Sequence, residues 1–262
     1  METEERLHAR LEDVVNLSLD KALDTGGLGA VTQCSGSQPV LVVLAAGRGS
    51  RFGKSPKCVQ PVCGRALARH SIEAFRRVAS GPVVCLVHYR QDEVVNALGD
   101  DLAYVHSDNP IGGTAYATYE TLCIGELEDE DALLIVSMGD RIVPSTVFAR
   151  LLETHQAGPH EACLTLLSAI YENPRAKGKG RIVRDESGRV IRIVEQRDID
   201  AMTDSAARNV LDAITEANCP LYALRARTLR RFTRDLLNDN AQHQFYFTDI
   251  IENIVAQGEE VR

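Results

Sequence analysis

The sequence lacks the features that mark several specialised classes of protein. No apolar run approaches the length of a membrane span, and the charged N-terminus has no apolar core of the kind found in a signal peptide. The seven cysteines contain no C-x-x-C pair, so we expect reduced thiols and no cysteine-based metal site. These absences predict a cytoplasmic protein without membrane contact.

The balance of charge excludes a further class. The formal net charge is -8, whereas a general nucleic-acid-binding surface needs clustered lysine and arginine. We therefore expect no nucleic-acid partner, although this charge is compatible with a locally basic pocket. With 262 residues, of which 44% are hydrophobic and 25% charged, the chain is long enough for one large domain, or for one domain with an appendage.

The first 38 residues are predicted to form such an appendage. Apolar residues between positions 3 and 23 have helical spacing among charges, and glycine-, serine- and proline-containing stretches follow up to Pro39. We interpret residues 1–38 as an N-terminal helix and linker, and residues 39–262 as the main domain. Two roles stay open for the helix: it packs on the domain surface, or it contacts a partner, including a second copy of the chain in a homodimer.

Strand and helix patterns alternate after residue 39. Continuous apolar runs are typical of buried parallel strands, and helical periodicity separates them. This alternation predicts an α/β fold with a doubly wound, mostly parallel, Rossmann-like sheet, which binds ligands beyond the carboxyl ends of its strands. In the second half, a turn at residues 185–188 predicts a hairpin and hence a mixed sheet. The predicted strands are residues 40–44, 83–88, 103–106, 132–137, 162–169, 180–184, 189–194 and 221–224, and the predicted helices are residues 65–78, 91–98 and 113–123.

A glycine-spaced loop follows the first predicted strand. It contains Gly47 and Gly49, and Arg51, Pro56 and Lys57 come soon after. Glycines let a backbone approach phosphates closely, successive amides form an anion nest, and arginine binds phosphate oxygens through two hydrogen bonds. The loop therefore predicts a nucleoside triphosphate site, although it is neither a P-loop nor a G-x-G-x-x-G fingerprint. The expected nucleotide-binding residues here are Leu44, Ala45, Ala46, Gly47, Arg48, Gly49 and Ser50.

Several short motifs, taken in order along the chain, carry a resemblance to one family. They are G-x-G-[ST]-R-x(4)-P-K at residues 47–57, G-T-x-x-A at 113–117, Gly139-Asp140 at a strand end, and the stretches 180–183, 193–198, 216–218 and 238–251. In this order they resemble the sugar-phosphate nucleotidylyltransferases, and within them the uridylyltransferase domain of bacterial N-acetylglucosamine-1-phosphate uridylyltransferase. The similarity covers residues 40 to about 258.

The resemblance implies a glycosyltransferase-A-like nucleotidyltransferase fold and a reaction. A sugar 1-phosphate oxygen attacks the α-phosphorus of a nucleoside triphosphate in line, and pyrophosphate leaves. Residues 39–145 would bind the triphosphate and residues 146–262 the acceptor. The residues carried over are Arg51 and Lys57 for charge stabilisation, Gly113 and Thr114 for the nucleotide, Asp140 and Asn240 for Mg²⁺, and Gly180, Glu195 and Asn218 for the acceptor.

Three of these residues also have structural interpretations. Asp140 is compatible with a helix cap, Glu195 with a solvated strand position, and Asn240 with the start of a turn.

Departures from the family leave the nucleotide base open. Asp108 stands at or near the glutamine that reads the uracil edge in the uridylyltransferases, and Ile111 occupies a second position that is polar in them. A carboxylate only accepts hydrogen bonds, so it would suit cytosine or guanine at least as well as uracil. UTP, CTP and GTP therefore all stay open as donors.

Further departures leave the acceptor open. Asn218-Cys219-Pro220 replaces the N-T-G of the family, Met138 replaces an aromatic residue, and Arg141 follows the metal-binding aspartate. We expect Met138 and Arg141 to contact the acceptor. A different sugar, a cyclitol phosphate or a phosphonate is compatible with these changes.

The leading hypothesis is a nucleotidyltransferase that makes an NDP-sugar and pyrophosphate. A cytidylyltransferase acting on a phosphonate or another non-sugar phosphate is an alternative. A glycosyltransferase normally carries D-x-D at the strand end, where this chain has Ser137-Met138-Gly139-Asp140. A non-catalytic nucleotide-binding regulatory domain is the alternative of another class, and the presence of Lys57, Asp140 and Asn240 argues against it.

Overall fold

The structure is a computed structural model that describes residues 38–49, 53, 55–107, 112–123, 127, 129–172, 176–234 and 236–262. The helix predicted over residues 3–23 lies outside this range, so its role and the division into an appendage and a main domain stay predictions. Within the described residues, no helix combines the length and the apolar character needed to cross a membrane.

The first half of the domain builds the parallel part of an eight-stranded sheet. Strand β1 is an unbroken apolar run that is buried along its whole length, and it pairs in parallel with β4 on one side and β6 on the other. The order in this part is β5-β4-β1-β6. The elements of this half are β1 (Val40–Leu44), β2 (Pro61–Val62), β3 (Arg65–Ala66), α1 (Leu67–Arg76), β4 (Val83–Val87), α2 (Gln91–Leu98), β5 (Ala103–His106), α3 (Gly113–Glu120), β6 (Leu133–Met138) and α4 (Ser145–Gln156). Strands β2 and β3 form a separate two-stranded hairpin.

The second half extends the same sheet with antiparallel strands. Strand β10 pairs with β6 through its last five residues, and with β8 near its start. Strand β7 runs along its other edge, where the register shifts between Cys219 and Tyr222. The elements are β7 (Leu164–Ile170), β8 (Arg181–Arg184), β9 (Val190–Val194), α5 (Gln196–Ala201), α6 (Ser205–Asp212), β10 (Glu216–Arg225), α7 (Ala226–Thr233) and α8 (Asp249–Ala256).

Apolar layers cover both faces of the sheet. Alternate residues of β1 point to opposite faces, with Val42 in one layer and Val43 in the other. Helices α1, α2 and α4 cover the face of Val43, where the rings of Phe75 and Phe148 meet edge to face at 5.6 Å. Helices α3, α7 and α8 cover the face of Val42. The α/β class and the mixed sheet are confirmed; the parallel strand ladders lie in the first half, and a single parallel bridge joins Leu164 to Val261 in the second.

Local differences from the predicted elements have simple causes. The helix predicted from residue 65 begins at Leu67, because Arg65–Ala66 pair with Pro61–Val62 as a hairpin. Strand β10 is ten residues long rather than four, since it has partners on both edges. Helices α4, α5, α6, α7 and α8 were not predicted. Of the described cysteines, 58, 63, 85, 163 and 219 are free thiols.

Candidate active site

A cavity of about 430 Å³ opens where the carboxyl ends of β1 and β6 meet the first half of β10. It lies on the face of the sheet that carries Val42, so strand ends form its floor and later segments of the chain form its walls. Residues predicted for the nucleotide and for the acceptor both line it. They are Leu44, Ala46, Gly47, Gly113, Thr114, Met138, Glu195 and Asn218.

The loop after β1 brings backbone to the rim of the cavity. The carbonyl of Leu44 accepts a hydrogen bond from the amide of Gly139 at 2.9 Å, which ties the ends of β1 and β6 together. A Cβ on Gly139 would lie 3.2 Å from that carbonyl, a tight contact that glycine avoids. The exposed Arg48 guanidinium lies 5.8 Å from the ring of Tyr89. Ser50 and Arg51 lie outside the described residues, and their predicted roles remain predictions.

Lys57 and Asp140 form an ion pair beside the strand ends. The ammonium Nζ of Lys57 donates to Oδ2 of Asp140 at 2.7 Å, and each side chain is about one-third exposed. Asp140 does not cap a helix, because α4 begins only after Pro144. The structure therefore brings together an anion and a cation that the sequence predicted for metal and triphosphate, at a place that solvent reaches.

The segment Phe245–Phe247 covers the start of α3. The amide of Ala115 donates to the carbonyl of Phe245, and the amide of Phe247 donates to the hydroxyl of Thr114, both at 2.9 Å. A Cβ on Gly113 would lie 2.6 Å from the Phe245 carbonyl. Gly113 and Thr114 thus line the cavity and also fix the late segment that forms its wall.

Buried polar groups face the cavity on the acceptor side. Asn218 is 4% exposed, and its amide nitrogen donates to the hydroxyl of Tyr222 at 2.6 Å. Oδ1 of Asn218 has no hydrogen-bond partner among the described residues. An acceptor oxygen buried in this way needs a donor, because leaving it unpaired costs about 1–3 kcal/mol.

The Glu195 carboxyl lies on the same wall. Burial raises its pKa, the hydroxyl of Thr248 acts in the opposite direction, and the charge of Asp198 raises it further. A Cβ on Gly180 would lie 3.0 Å from Oε1 of Glu195, so a glycine leaves this carboxylate open. Glu195 is therefore not a solvated strand residue, which removes that alternative.

Met138 and Arg141 border this wall on the β6 side. Met138 is half-buried, pairs with Leu44 across β1 and β6, and lines the cavity. Arg141 is exposed, and its carbonyl accepts a hydrogen bond from the hydroxyl of Ser71. Burial raises the pKa of the Tyr222 hydroxyl, the hydrogen bond from Asn218 lowers it, the charge of Glu195 raises it, and the charge of Arg141 lowers it. Met138 thus lines the cavity, whereas a contact of Arg141 with the acceptor stays a prediction.

Asn240 lies on a different cavity. Its Oδ1 accepts from the amides of Gln242 and Gln244 at 3.3 and 3.2 Å, and its Nδ2 donates to the carbonyl of Gln244. It lines a second, acidic cavity with Asp198 and Asp249. This geometry agrees with the turn interpretation, and the metal role of Asn240 stays a prediction. Asp140 supplies the one carboxylate of the predicted pair, a ligand suited to a hard cation, and the described residues contain no cluster of three His, Cys, Asp or Glu for a metal.

Sequence reasoning missed several lining residues. Ser107 follows β5 and is buried at the cavity, while Tyr222 and Thr248 flank the acceptor wall. Thr248 stands in a stretch that supported the family resemblance, but only the folded chain places it beside Glu195. Asp108, which was expected to read the base, and Ile111, which departs from a position that is polar in the family, lie outside the described residues.

Many solved structures share this fold, and two of them illustrate the likeness. The inositol-1-phosphate CTP transferase from T. maritima has a TM-score of 0.61 at 16% identity, covering 87% of this chain and 86% of that one. A UDP-glucose pyrophosphorylase complexed with UDP-glucose has a TM-score of 0.64 at 13% identity, covering 85% and 89%. At these identities the likeness shows a shared fold.

Curated relatives are closer in sequence. The Bifunctional protein GlmU of Caldanaerobacter subterraneus subsp. tengcongensis is 32% identical over 224 residues, which are 85% of this chain and 46% of that protein. Its namesake in Cupriavidus necator is 35% identical over 223 residues, 84% of this chain and 45% of that protein. The chain thus spans just under half the length of these relatives.

The fold and the matched sequence together place the chain in the class of NTP transferases. The sequence model of the MobA-like NTP transferase domain matches residues 41–240, and the chain belongs to this family. The predicted resemblance to the sugar-phosphate nucleotidylyltransferases is confirmed. Nucleotidyltransferases of this kind generally use a divalent metal ion.

Proposed function

We propose that this protein transfers a nucleoside monophosphate from an NTP to a sugar 1-phosphate or a cyclitol phosphate, and releases an NDP-sugar or its cyclitol counterpart with pyrophosphate. The observation that supports this most strongly is the composition of one cavity. The loop after β1 lines its nucleotide side, with the Lys57–Asp140 pair beside the same strand ends, and its acceptor side presents Glu195 and Asn218. Two substrates that must react with each other need such a shared space.

The nucleotide side is suited to a triphosphate. Backbone of Gly47 lines the cavity, and Lys57 stands close to the strand ends with its charge balanced by Asp140. Arg51, proposed from the sequence, would add a second cation to the same loop. A cation held in place before the reaction stabilises charge that develops on the departing pyrophosphate.

The acceptor side is suited to hydroxyl groups. The half-buried Glu195 carboxyl and the buried, unpaired Oδ1 of Asn218 are both hydrogen-bond acceptors. A ring that carries several hydroxyls supplies hydrogen-bond donors for both groups. Sugar and cyclitol phosphates share this chemistry, and a simple phosphonate does not.

The reaction needs positioning more than acid–base chemistry. An oxygen of the acceptor phosphate attacks the α-phosphorus, the bond from that phosphorus to the β-phosphate oxygen breaks, and no proton has to be moved. The work of the protein is to hold the attacking and leaving oxygens in line and to balance their charge.

We assign the metal position to Asp140 and propose Mg²⁺, which binds through one or two carboxylates together with substrate phosphates and water. When bound, Mg²⁺ would neutralise phosphate charge beside the reacting phosphorus. Lys57, which already contacts Asp140, would keep this carboxylate oriented.

A pyrophosphate-release assay tests the proposal. UTP, CTP, GTP and ATP are each offered with N-acetylglucosamine 1-phosphate, glucose 1-phosphate, inositol 1-phosphate and a phosphonate, with and without Mg²⁺. We expect metal-dependent release with at least one sugar or cyclitol phosphate, lost in Asp140→Ala and Lys57→Ala. The control Glu73→Gln changes only an exposed pair with Arg65.

Three results would overturn the proposal. Release with the phosphonate alone would favour the cytidylyltransferase alternative, if CTP is the donor. Nucleotide binding by calorimetry without release for any pair would favour a non-catalytic domain. Undiminished release by both variants would remove Lys57 and Asp140 from the site.

A further inference from the structure

Arg181 is the largest fully buried side chain among the described residues. It opens β8, is 2% exposed, and follows Gly180 directly. A buried guanidinium is costly unless its donors are paired. Its partners therefore show what its burial achieves.

The guanidinium binds two pieces of the cavity wall. Nη1 donates to the carbonyl of Ala176 at 2.7 Å and to the carbonyl of Lys179, and Nη2 donates to Oε1 of Gln196 at 2.9 Å. Its ion pair with Asp212 is long, at 3.9 Å. The side chain thus acts mainly as a planar fork for neutral oxygens, a geometry that lysine does not reproduce.

Gln196 connects the guanidinium to two further groups. The same Oε1 accepts the amide of Gly178 at 2.9 Å, while Nε2 donates to Asp200 at 3.1 Å. Gly178 and Gln196 both line the cavity. One guanidinium and one amide side chain therefore hold the turn 176–180 against the residue that follows Glu195.

We propose that Arg181 is a positioning residue for the acceptor, which fixes the turn 176–180 and, through Gln196, the chain beside Glu195. This inference rests on the proposed function. Arg181 itself touches neither substrate; its role is to keep Gly178, Gly180 and Glu195 in the spacing that the acceptor needs. The nucleotide side of the cavity is formed by other elements, so loss of the Arg181 guanidinium should not change nucleotide binding.

The test compares Arg181→Lys with the matched control Arg184→Lys. Arg184 lies on the same strand and also binds a carbonyl and a carboxylate, but at the surface. For an acceptor that the wild type uses, we expect KM to rise at least about tenfold in Arg181→Lys, with KM for the nucleotide within twofold. Amide hydrogen exchange should accelerate at residues 176–180, and the control should change neither readout.

Specific outcomes would overturn the inference. One is an unchanged acceptor KM in a wild-type-active enzyme; another is an equal rise in both KM values, which indicates a general structural role. Unchanged exchange at residues 176–180 would also overturn it. Amide hydrogen exchange tests whether Arg181 fixes the turn 176–180 even if the wild type turns over no acceptor. That lack of turnover would count against the proposed function alone. If Arg181→Lys does not fold, the same exchange measurement on Gln196→Met decides.

Discussion

The two sides of the cavity are built in different ways. The side proposed for the nucleotide is formed by short segments that directly follow parallel strands, so the chain needs only a strand and the next few residues to present Gly47 at the cavity and Asp140 beside it. The acceptor side draws on β8, β9, β10 and the segment before α8, which meet only in the folded chain. The first arrangement suits the nucleotide, a substrate that related enzymes have in common. The second lets the acceptor substrate change with few substitutions.

The largest effect is expected on the nucleotide side. Asp140→Asn removes the carboxylate that contacts Lys57 and that we assign to the metal, so kcat should fall by roughly 10²–10³-fold while the fold is kept. Pyrophosphate release measures the rate, and thermal unfolding checks the fold. A rate within threefold of the wild type would place the charge-stabilising group elsewhere.

The acceptor side should respond through binding. Glu195→Gln keeps the shape of the side chain but removes the charge of the carboxylate, which weakens the hydrogen bonds that substrate hydroxyls donate to it. The KM for the acceptor substrate should therefore rise about 10-fold to 100-fold. Nucleotide binding, followed by calorimetry, should stay within twofold. If the nucleotide affinity falls as much as the acceptor affinity, the two sides are not separate.

Arg141 offers a smaller and salt-dependent test of the same side. Arg141→Ala should raise the acceptor KM several-fold at low salt, because an exposed guanidinium is worth about 1 kcal/mol or less. The difference from the wild type should shrink at high ionic strength, where solvent ions screen it. A defect that persists unchanged in high salt would contradict an electrostatic role.

The second cavity provides a test through pH. Burial, together with the charges of Asp198, Glu195, Asp239 and Glu252, raises the pKa of Asp249 to about 7 from its ordinary 3.8. The folded state then binds more protons than the unfolded state between these values, so this group lowers stability as pH rises through the window. Asp249→Asn should raise the unfolding temperature relative to the wild type more at pH 8 than at pH 4.5. An equal difference at both values would contradict the raised pKa.

The smallest effect is expected at His243, between the lining residues Gln242 and Gln244. His243 has a φ of 52°, a left-handed conformation that glycine adopts without strain. His243→Gly should therefore stabilise the protein by no more than about 1 kcal/mol, with activity unchanged, as measured by denaturant unfolding and by the release assay. Destabilisation by more than this would show that the imidazole has a contact of its own.

How well the sequence predicts the structure also differs between segments set by neighbouring residues and segments that meet only in the folded chain. The bounds of β1, α2 and β5 agree with the sequence, because each is set by neighbouring residues through an apolar run or helical periodicity. Tyr222 and Thr248 were missed, because a register shift in β10 and the return of the chain before α8 bring them to the wall. Asn240 stays open: its amide accepts a hydrogen bond within a turn, as this residue type often does, and its predicted metal role remains a prediction.

Pro220 follows the cysteine at which the ladder between β7 and β10 shifts, and it lines the cavity. Strand β10 is also the strand through which the antiparallel part of the sheet is hydrogen-bonded to β6. For protein engineering, residues 219–221 are therefore a suitable point at which to join segments of two related proteins. Exchanging residues 176–197, which carry Gly178 and Glu195 at the cavity, with those of a relative while keeping β10 and β6 offers a route to new acceptors on the proposed triphosphate site.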